Sequence, residues 1–481
     1  MALIALLWPR RRSLLRRARS LLAPFLLGLL PYAWMVVRSR LSEISFYGPI
    51  GSWSDFWYYL SREGYAQVDY SPSADWGDKL QFAGFAVKET WRQFGPFGAA
   101  FAAFGFVVQW KSWPLHVCCA LSLAFLAGTV ALIALLGFDY DLLHQNVFRV
   151  YPLVSYAAAA LWLGLGAGWR VQWIAGRHAR RLRAEFLKPA AGVLLVGTTL
   201  AANVSANFRA ADTWAEDYAR AVLESLERGA VLFTHGDYVT GPLGYLNKVE
   251  GFRSDVILFS ANGQVFDNRL WDPYKPVYGG IRAAVEGLIA SHPGHVYYAL
   301  LLPHDHGNVF YGLYHRVAPE LPATLRTVVL TPRIARYFES LFQRRQPADL
   351  SQLIHYRQLQ GLYCQLIANI VEHPPAEADA SVRKAVLDAR CSGYQGLLQQ
   401  AIVKLNSGSA DAGEILALLD RARLRSGEAV TVANRALLYY LYGRTYLDSA
   451  RPETARGFFS RSVSIWSAAD NPAFEYLGSP D

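Results

Sequence analysis

The sequence has little cysteine and lacks the common motifs of nucleotide, ester and metal chemistry. Four cysteines in 481 residues are too few for a disulfide framework, and no C-x-x-C pair or zinc spacing occurs. P-loop, G-x-S-x-G and G-x-G-x-x-G motifs are also absent. We therefore expect no metal centre and no resident cofactor, and nothing supports hydrolysis of nucleotides or esters.

Apolar sequence dominates the first part of the chain. A hydrocarbon core of about 30 Å requires roughly 20 apolar residues in a helix. Five stretches reach or approach that length, at residues 21–37, 94–110, 113–137, 150–169 and 190–207. We therefore expect residues 1–208 to form a multi-pass helical membrane domain with about five spans.

The basic residues between these stretches predict an orientation. Lys and Arg concentrate in residues 10–19, at Lys111 and in residues 177–188, and such an excess marks the cytoplasmic side. With five crossings, the N-terminus is cytoplasmic and the loop 38–92 and the C-terminal half lie outside, as in a multi-pass protein of a cell inner membrane. The net charge of +9 is then mostly membrane-flanking arginine. We expect a lipid bilayer as partner and no nucleic acid.

Residues 209–346 have the pattern of a soluble α/β domain. Strand candidates at 230–234, 256–260, 295–302 and 327–330 alternate with helical patterns, which is typical of a mostly parallel sheet. Residues 234–237 (Thr-His-Gly-Asp) follow the first strand, where α/β domains often place working residues. A turn in which Asp237 caps the next helix is the alternative.

Residues 347–481 read as helical. Gly443, Tyr446, Ala455 and Phe459 have the spacing of a tetratricopeptide (TPR) unit, in which small residues let two helices approach and aromatics fill the gap. An ordinary helical hairpin fits the same pattern. This region is where we expect a partner or acceptor protein to bind. Cys364 and Cys391 also lie in this half, where an oxidising compartment would permit a bridge.

The loop 38–92 combines aromatic and charged residues. Asp55, Asp78 and Arg62 lie among tryptophans and tyrosines, a mixture that suits a sugar or a lipid-phosphate headgroup, since arginine donates two hydrogen bonds to phosphate. Aromatic residues also anchor helices at the membrane interface. Arg38 and Arg149 stand at predicted external span ends, where they either snorkel to headgroups or bind an anionic substrate.

Four segments together resemble one family. Residues 28–39 (GLLPYAWMVVRS), 47–66 (YGPIGSWSDFWYYLSREGYA), 148–152 (FRVYP) and above all 230–255 (AVLFTHGDYVTGPLGYLNKVEGFRSD) are similar to the C-terminal portion of the transmembrane protein 260-like protein O-mannosyltransferases, glycosyltransferase family 117. The block 230–255 resembles the soluble signature of that family. Its matching positions are Gly236, Asp237, Pro242, Tyr245, Glu250 and Gly251.

The resemblance implies a GT-C type membrane glycosyltransferase that moves a mannose-like sugar from a polyprenyl-phosphate carrier to a protein outside the cytoplasm. Its catalytic acidic residue belongs to an N-terminal half that we expect this chain to lack, so the catalytic base is not assigned, with Asp55 and Asp78 as weak substitutes. The resemblance offers Arg38, Arg62, Tyr65 and Arg149 as carrier-binding positions. The alternative is a non-catalytic, membrane-anchored TPR-like scaffold.

Overall fold

The computed structural model is mostly helical, with a mixed six-stranded sheet in the middle of the chain. It describes residues 18–41, 44–45, 50–61, 63, 71, 74–178, 213–261, 263, 265–268, 270, 278–300, 302–322, 326–344, 350–372, 391–407, 411–425, 432–466 and 471–477, with short helical pieces between 189 and 204. The chain divides into two compact units, residues 1–28 with 69–211 and residues 29–68 with 212–481. Each unit has a buried core of its own.

The elements of the described residues follow in chain order. The helices are α1 (Ala18–Leu41), α2 (Trp53–Leu60), α3 (Trp76–Ser112), α4 (Leu115–Leu135), α5 (Leu142–Phe148), α6 (Leu153–His178), α7 (Trp214–Ser225), α8 (Asp237–Gly244), α9 (Tyr278–Ser291), α10 (Pro332–Gln343), α11 (Leu350–Glu372), α12 (Tyr394–Ser407), α13 (Ala412–Leu424), α14 (Val432–Asp448), α15 (Pro452–Ile465) and α16 (Phe474–Leu477). The strands are β1 (Ile44–Ser45), β2 (Val231–Thr234), β3 (Ile257–Ser260), β4 (Val265–Phe266), β5 (Val296–Tyr298), β6 (Gly307–Phe310), β7 (His315–Ala318) and β8 (Arg326–Val328).

The expectation of about five membrane spans is too high for the described residues. Among the described residues, one helix, α4, is long and apolar enough to cross a membrane, and α5 with α6, bent by 54°, would add a second if the pair forms one span. The stretches 21–37 and 94–110 stop short of the roughly 20 apolar residues a span needs. They lie within α1 and within α3, which is broken at Gly95 (φ 66°) before Pro96. The stretch 190–207 lies largely outside the described residues.

Small residues let α3 and α6 approach closely in the first unit. A Cβ on Gly105 would lie 1.7 Å from the main-chain oxygen of Trp162, and one on Gly166 would lie 2.2 Å from that of Phe101. Beside this crossing the Trp162 indole donates to Oε1 of the fully buried Gln109 at 2.8 Å. Close small-residue contacts and polar side-chain bonds are typical of helices that pack within membranes.

The sheet of the second unit has the strand order β3-β2-β5-β7-β6-β8. Strands β3, β2 and β5 are parallel, which confirms the parallel arrangement predicted for the first three strand candidates. The prediction missed the antiparallel pair β6–β7, whose loop turns at Gly312 (φ 90°). The sheet is therefore mixed, with three parallel and two antiparallel pairings, because β6 and β7 are joined by a hairpin loop with no intervening helix.

Helices cover both faces of this sheet. Alternate residues of β2 point in opposite directions: Leu232 packs in a core with Tyr218 and Val222 of α7, while Val231 and Phe233 pack against residues of α9. The first of these cores also takes in α10 and α11. Strand β1 pairs with β4, which ties the residues after α1 to the α/β domain.

The C-terminal helices pack as successive neighbours. α14 and α15 are joined by three residues and pack along each other, with Ala455 and Phe459 buried and a Cβ on Gly443 only 2.5 Å from the Phe459 ring. This is the close approach predicted from the TPR-like spacing. A disulfide between Cys364 and Cys391 connects α11 to the residues just before α12, so the bridge left open by the sequence is present.

Candidate functional site

The block 230–255 forms the edge of the α/β domain at which β2 ends. Gly236 turns the chain with a φ of 77° and precedes α8, whose first residue, Asp237, is exposed. The buried Thr240 hydroxyl donates to Oγ1 of Thr234 at 3.0 Å, and Thr234 in turn donates to the main-chain oxygen of Phe259 at 3.3 Å. These bonds hold the start of α8 against the ends of β2 and β3.

The end of α8 is irregular. The chain widens into a π-turn at Tyr245–Val249 and leaves it at Gly251, whose φ of 68° is the left-handed conformation that ends many helices. The amide of the buried Asn247 donates to the main-chain oxygen of Arg253 at 2.7 Å. The irregular turn leaves Tyr245 with 55% of its surface exposed.

Arg253 and Asp255 fix this loop to α7. The Arg253 guanidinium binds both carboxylate oxygens of Asp255, at 2.8 and 2.9 Å, and donates to the main-chain oxygens of Leu223, Leu226 and Glu227. It thereby satisfies carbonyls at the C-terminal end of α7, which lack partners within the helix. The hydrogen bonds from Arg253 hold the pKa of the Asp255 carboxyl well below its usual value. The pair Arg253 and Asp255 at the end of the block therefore serves to hold the loop against α7.

A groove of about 370 Å³ lies between α7 and the π-turn. It is lined by Ala215, Glu216, Gly241, Pro242, Tyr245, Leu246 and Glu250. Three of the six signature positions thus line the groove, namely Pro242, Tyr245 and Glu250. Gly236, Asp237 and Gly251 are not among its lining residues, and the two glycines instead set the backbone turns on either side of α8 and the π-turn.

An arginine that the sequence reasoning missed links the acidic residues of the groove. Nε of Arg220 donates to Oε1 of Glu216 at 2.8 Å, and Nη2 lies 3.8 Å from Oε2 of Glu250. The guanidinium also lies 4.9 Å from the ring centre of Phe252. The sequence could have indicated the Glu216–Arg220 ion pair, because opposite charges four residues apart on a helix lie close enough to interact. Both carboxylates are therefore paired, and the groove is suited to binding more than to proton transfer.

The candidate catalytic residues of the loop 38–92 lie in the first turns of helices, where they stabilise the helix start. Asp55 accepts from the main-chain nitrogens of Gly51 and Ser52, at 3.0 and 2.8 Å, in a capping box at the start of α2. Asp78 accepts from the nitrogens of Asp75 and Tyr140, at 3.0 and 2.8 Å, at the start of α3. In the sequence, these capping boxes are indicated by the spacings S-x-x-D at Ser52–Asp55 and D-x-x-D at Asp75–Asp78.

The candidate carrier-binding residues are distributed over the chain. Arg38 is exposed in the last turn of α1, and Arg149 is half-buried at the C-terminal end of α5. Arg62 and Tyr65 lie outside the described residues. Within the part of the chain that the structure describes, no group of three His, Cys, Asp or Glu side chains could hold a metal ion.

Comparison with known families supports the resemblance in one segment. Residues 215–262 match the TMEM260-associated domain 2, a span that contains every residue lining the groove. No curated protein and no solved structure matches the chain. The match covers the first part of the α/β domain, from α7 to the end of β3, and no other part of the chain.

Proposed function

We propose that this chain is a membrane-bound relative of the TMEM260 glycosyltransferases that takes part in moving a sugar from a polyprenyl-phosphate carrier to a protein outside the cytoplasm. One observation carries the proposal: the segment that matches the TMEM260-associated domain, residues 215–262, contains the whole lining of the groove. The relation supports the proposed activity, and we propose the groove as the place where an acceptor binds.

We assign the groove to binding of the acceptor polypeptide. Its apolar lining includes the exposed Tyr245 ring beside Pro242 and Ala215, a surface of the kind that anchors protein contacts. Sugar transfer with inversion needs a carboxylate base near the acceptor hydroxyl. Glu216 and Glu250 are both held by Arg220, so neither is proposed as that base.

The donor side of the reaction is assigned to the membrane part of the chain. Asp55 and Asp78 stay proposed as base, and Arg38, Arg62, Tyr65 and Arg149 as carrier-binding residues. The disulfide Cys364–Cys391 supports an extracytoplasmic C-terminal half, because stable bridges form in oxidising compartments.

Gene replacement in the source organism tests this function. Loss of the gene is expected to remove a hexose from one or more exported proteins, measured by mass spectrometry of their glycopeptides, and the wild-type gene is expected to restore it. Arg62→Ala and Asp55→Asn are expected to fail to restore it. The Asn side chain keeps an oxygen that accepts hydrogen bonds at the start of α2, so helix capping is preserved while the carboxylate is lost.

The groove has its own variant and control. Tyr245→Ala is expected to lower hexose occupancy, whereas Val249→Ala, an exposed apolar residue of the same π-turn outside the groove lining, is expected to leave it unchanged. An unaltered glycoproteome in the deletion strain would refute the proposed transfer.

A non-catalytic scaffold is the second candidate function, and the helix-capping roles of Asp55 and Asp78 favour it. Under this alternative Asp55→Asn and Arg62→Ala restore the wild-type phenotype. Deletion of residues 347–481, which contain the TPR-like helices, then removes it.

A further inference from the structure

We infer that α2 is an interfacial helix that lies flat at the headgroup level of a membrane, with Trp53, Trp57 and Leu60 inserted. These three side chains are 69%, 49% and 41% exposed. At 3.6 residues per turn they fall within about 60° of one another on the helix surface. No described part of the chain covers this aromatic stripe.

The other side of α2 is different in chemistry and in burial. Asp55 lies on the opposite side of the helix from the stripe, about 140–160° from each of its residues, and it is partly buried with Tyr58 and Tyr59. One apolar face rich in tryptophan and one polar face are the properties of helices that lie in the membrane interface. The capping box of Ser52 and Asp55 supplies the hydrogen bonds at the start of the helix. The first turn of α2 is therefore stabilised without contacts from another molecule.

A second exposed apolar surface lies in the same compact unit, and the two together point to lipid as the occupant. The last turns of α1, in the same compact unit as α2, expose Leu29, Leu30, Trp34 and Val37. Exposed leucine, valine and tryptophan on two successive helices are consistent with one lipid surface, whereas a sugar site would combine its aromatic ring with exposed hydrogen-bonding groups.

Two hydrogen bonds join the end of α1 to a residue just before α2. The Ser39 hydroxyl accepts from the main-chain nitrogen of Ile50 at 3.1 Å, and Nε of Arg40 donates to the oxygen of Ile50 at 3.0 Å. Arg38 and Arg40 are both exposed at this junction, where guanidinium groups can reach lipid phosphates. The end of α1 is thus held next to the start of α2, and exposed tryptophan beside arginine is the combination expected at the membrane interface.

Spin-label depth measurements on the full chain test this inference. Cys118 and Cys119 are replaced by alanine, the bridged cysteines are kept, and a label is placed at Trp57→Cys or, as the control on the other side of the helix, at Tyr59→Cys. Each protein is reconstituted in vesicles of phosphatidylethanolamine and phosphatidylglycerol. Accessibility to oxygen and to a water-soluble nickel complex is then measured.

The label at position 57 is expected to show a severalfold higher ratio of oxygen to nickel accessibility than the label at position 59. Equal nickel access at both positions would overturn the inference, since the stripe would then face water. A label at 57 that is immobilised and shielded from both reagents would also overturn it, because a protein would then cover the stripe. Thermal unfolding of each labelled protein checks that it is folded, and a Trp53→Cys label repeats the test one turn earlier.

Discussion

At the scale of single residues, His355 is the clearest titratable group placed in an apolar environment. It lies on α11 with 7% of its surface exposed, and neither ring nitrogen has a hydrogen-bond partner in the described residues. The rings of Tyr218 and Tyr238 lie 5.4 and 5.6 Å from it. Burial lowers the pKa of His355 to about 4, so the native protein holds this imidazole neutral.

This placement predicts a pH-dependent stability. Above about pH 6.5, the ordinary pKa of histidine, the side chain is neutral in both the folded and the unfolded chain and has no effect. Between that pH and about 4 only the unfolded chain takes up the proton, so the free energy of unfolding falls as the pH falls. The loss reaches roughly 3 kcal/mol below that range.

His355→Phe is the variant that isolates this effect. The phenyl ring keeps the contacts with Tyr218 and Tyr238 and removes the titration, so its melting temperature is expected to change less between pH 7 and pH 4.5 than that of the wild type. His295→Gln, at an exposed histidine, is the control and is expected to keep the wild-type pH dependence. Identical pH profiles for His355→Phe and the wild type would show that this histidine does not set the slope.

At the scale of elements, the crossing of α3 and α6 depends on glycine. In an open helix position, Gly→Ala stabilises by roughly 0.5–1 kcal/mol. Gly166→Ala is expected to destabilise instead, by about 1–3 kcal/mol, because its methyl group would lie 2.2 Å from the Phe101 oxygen. Gly168→Ala, on the same helix with nothing within 4 Å, is the control. Thermal unfolding in detergent measures both, and equal effects of the two changes would rule out a close crossing.

The pair α14–α15 offers the same comparison outside the first unit. Gly443→Ala is expected to destabilise by about 1–3 kcal/mol, since the new Cβ would lie 2.5 Å from the Phe459 ring. Gly457→Ala, on α15 with open space around it, is expected to be neutral or stabilising. Limited proteolysis of the helical region reports on both. If Gly443→Ala proves as resistant to protease as the wild type, the helices pack less closely than the structure has them.

At the scale of the whole molecule, the disulfide and the basic clusters make one joint prediction about compartment. In right-side-out membrane vesicles, external protease is expected to remove a C-terminal epitope tag and to spare an N-terminal one. Cys364 and Cys391 are expected to resist maleimide until a reductant is added, and their bridge to contribute about 3–4 kcal/mol. Detergent-opened vesicles are the control, in which both tags become accessible. A protected C-terminal tag with reactive thiols would place the C-terminal half in the cytoplasm.

The sequence by itself determined the local elements of this protein. The buried run of β2, the glycine and aromatic spacing of α14 and α15, and the apolar run of α4 follow from residues close together in the chain, because helix and strand periods are local properties. The block 230–255 likewise carries its resemblance in residues that are close together in the chain, and it lies largely within the matched segment 215–262. The capping boxes at Asp55 and Asp78 are equally local, because each joins residues three positions apart.

Only the tertiary structure decided what distant residues do together. The groove needs Ala215 and Glu216 of α7 beside Gly241 and Tyr245, and the salt bridge from Arg220 to Glu250 crosses 30 residues that no periodicity relates. The antiparallel pair β6–β7 and the bridge between Cys364 and Cys391 were also decided there. Each of these features depends on how distant segments pack together. Such packing routinely overrides the local preferences of a sequence.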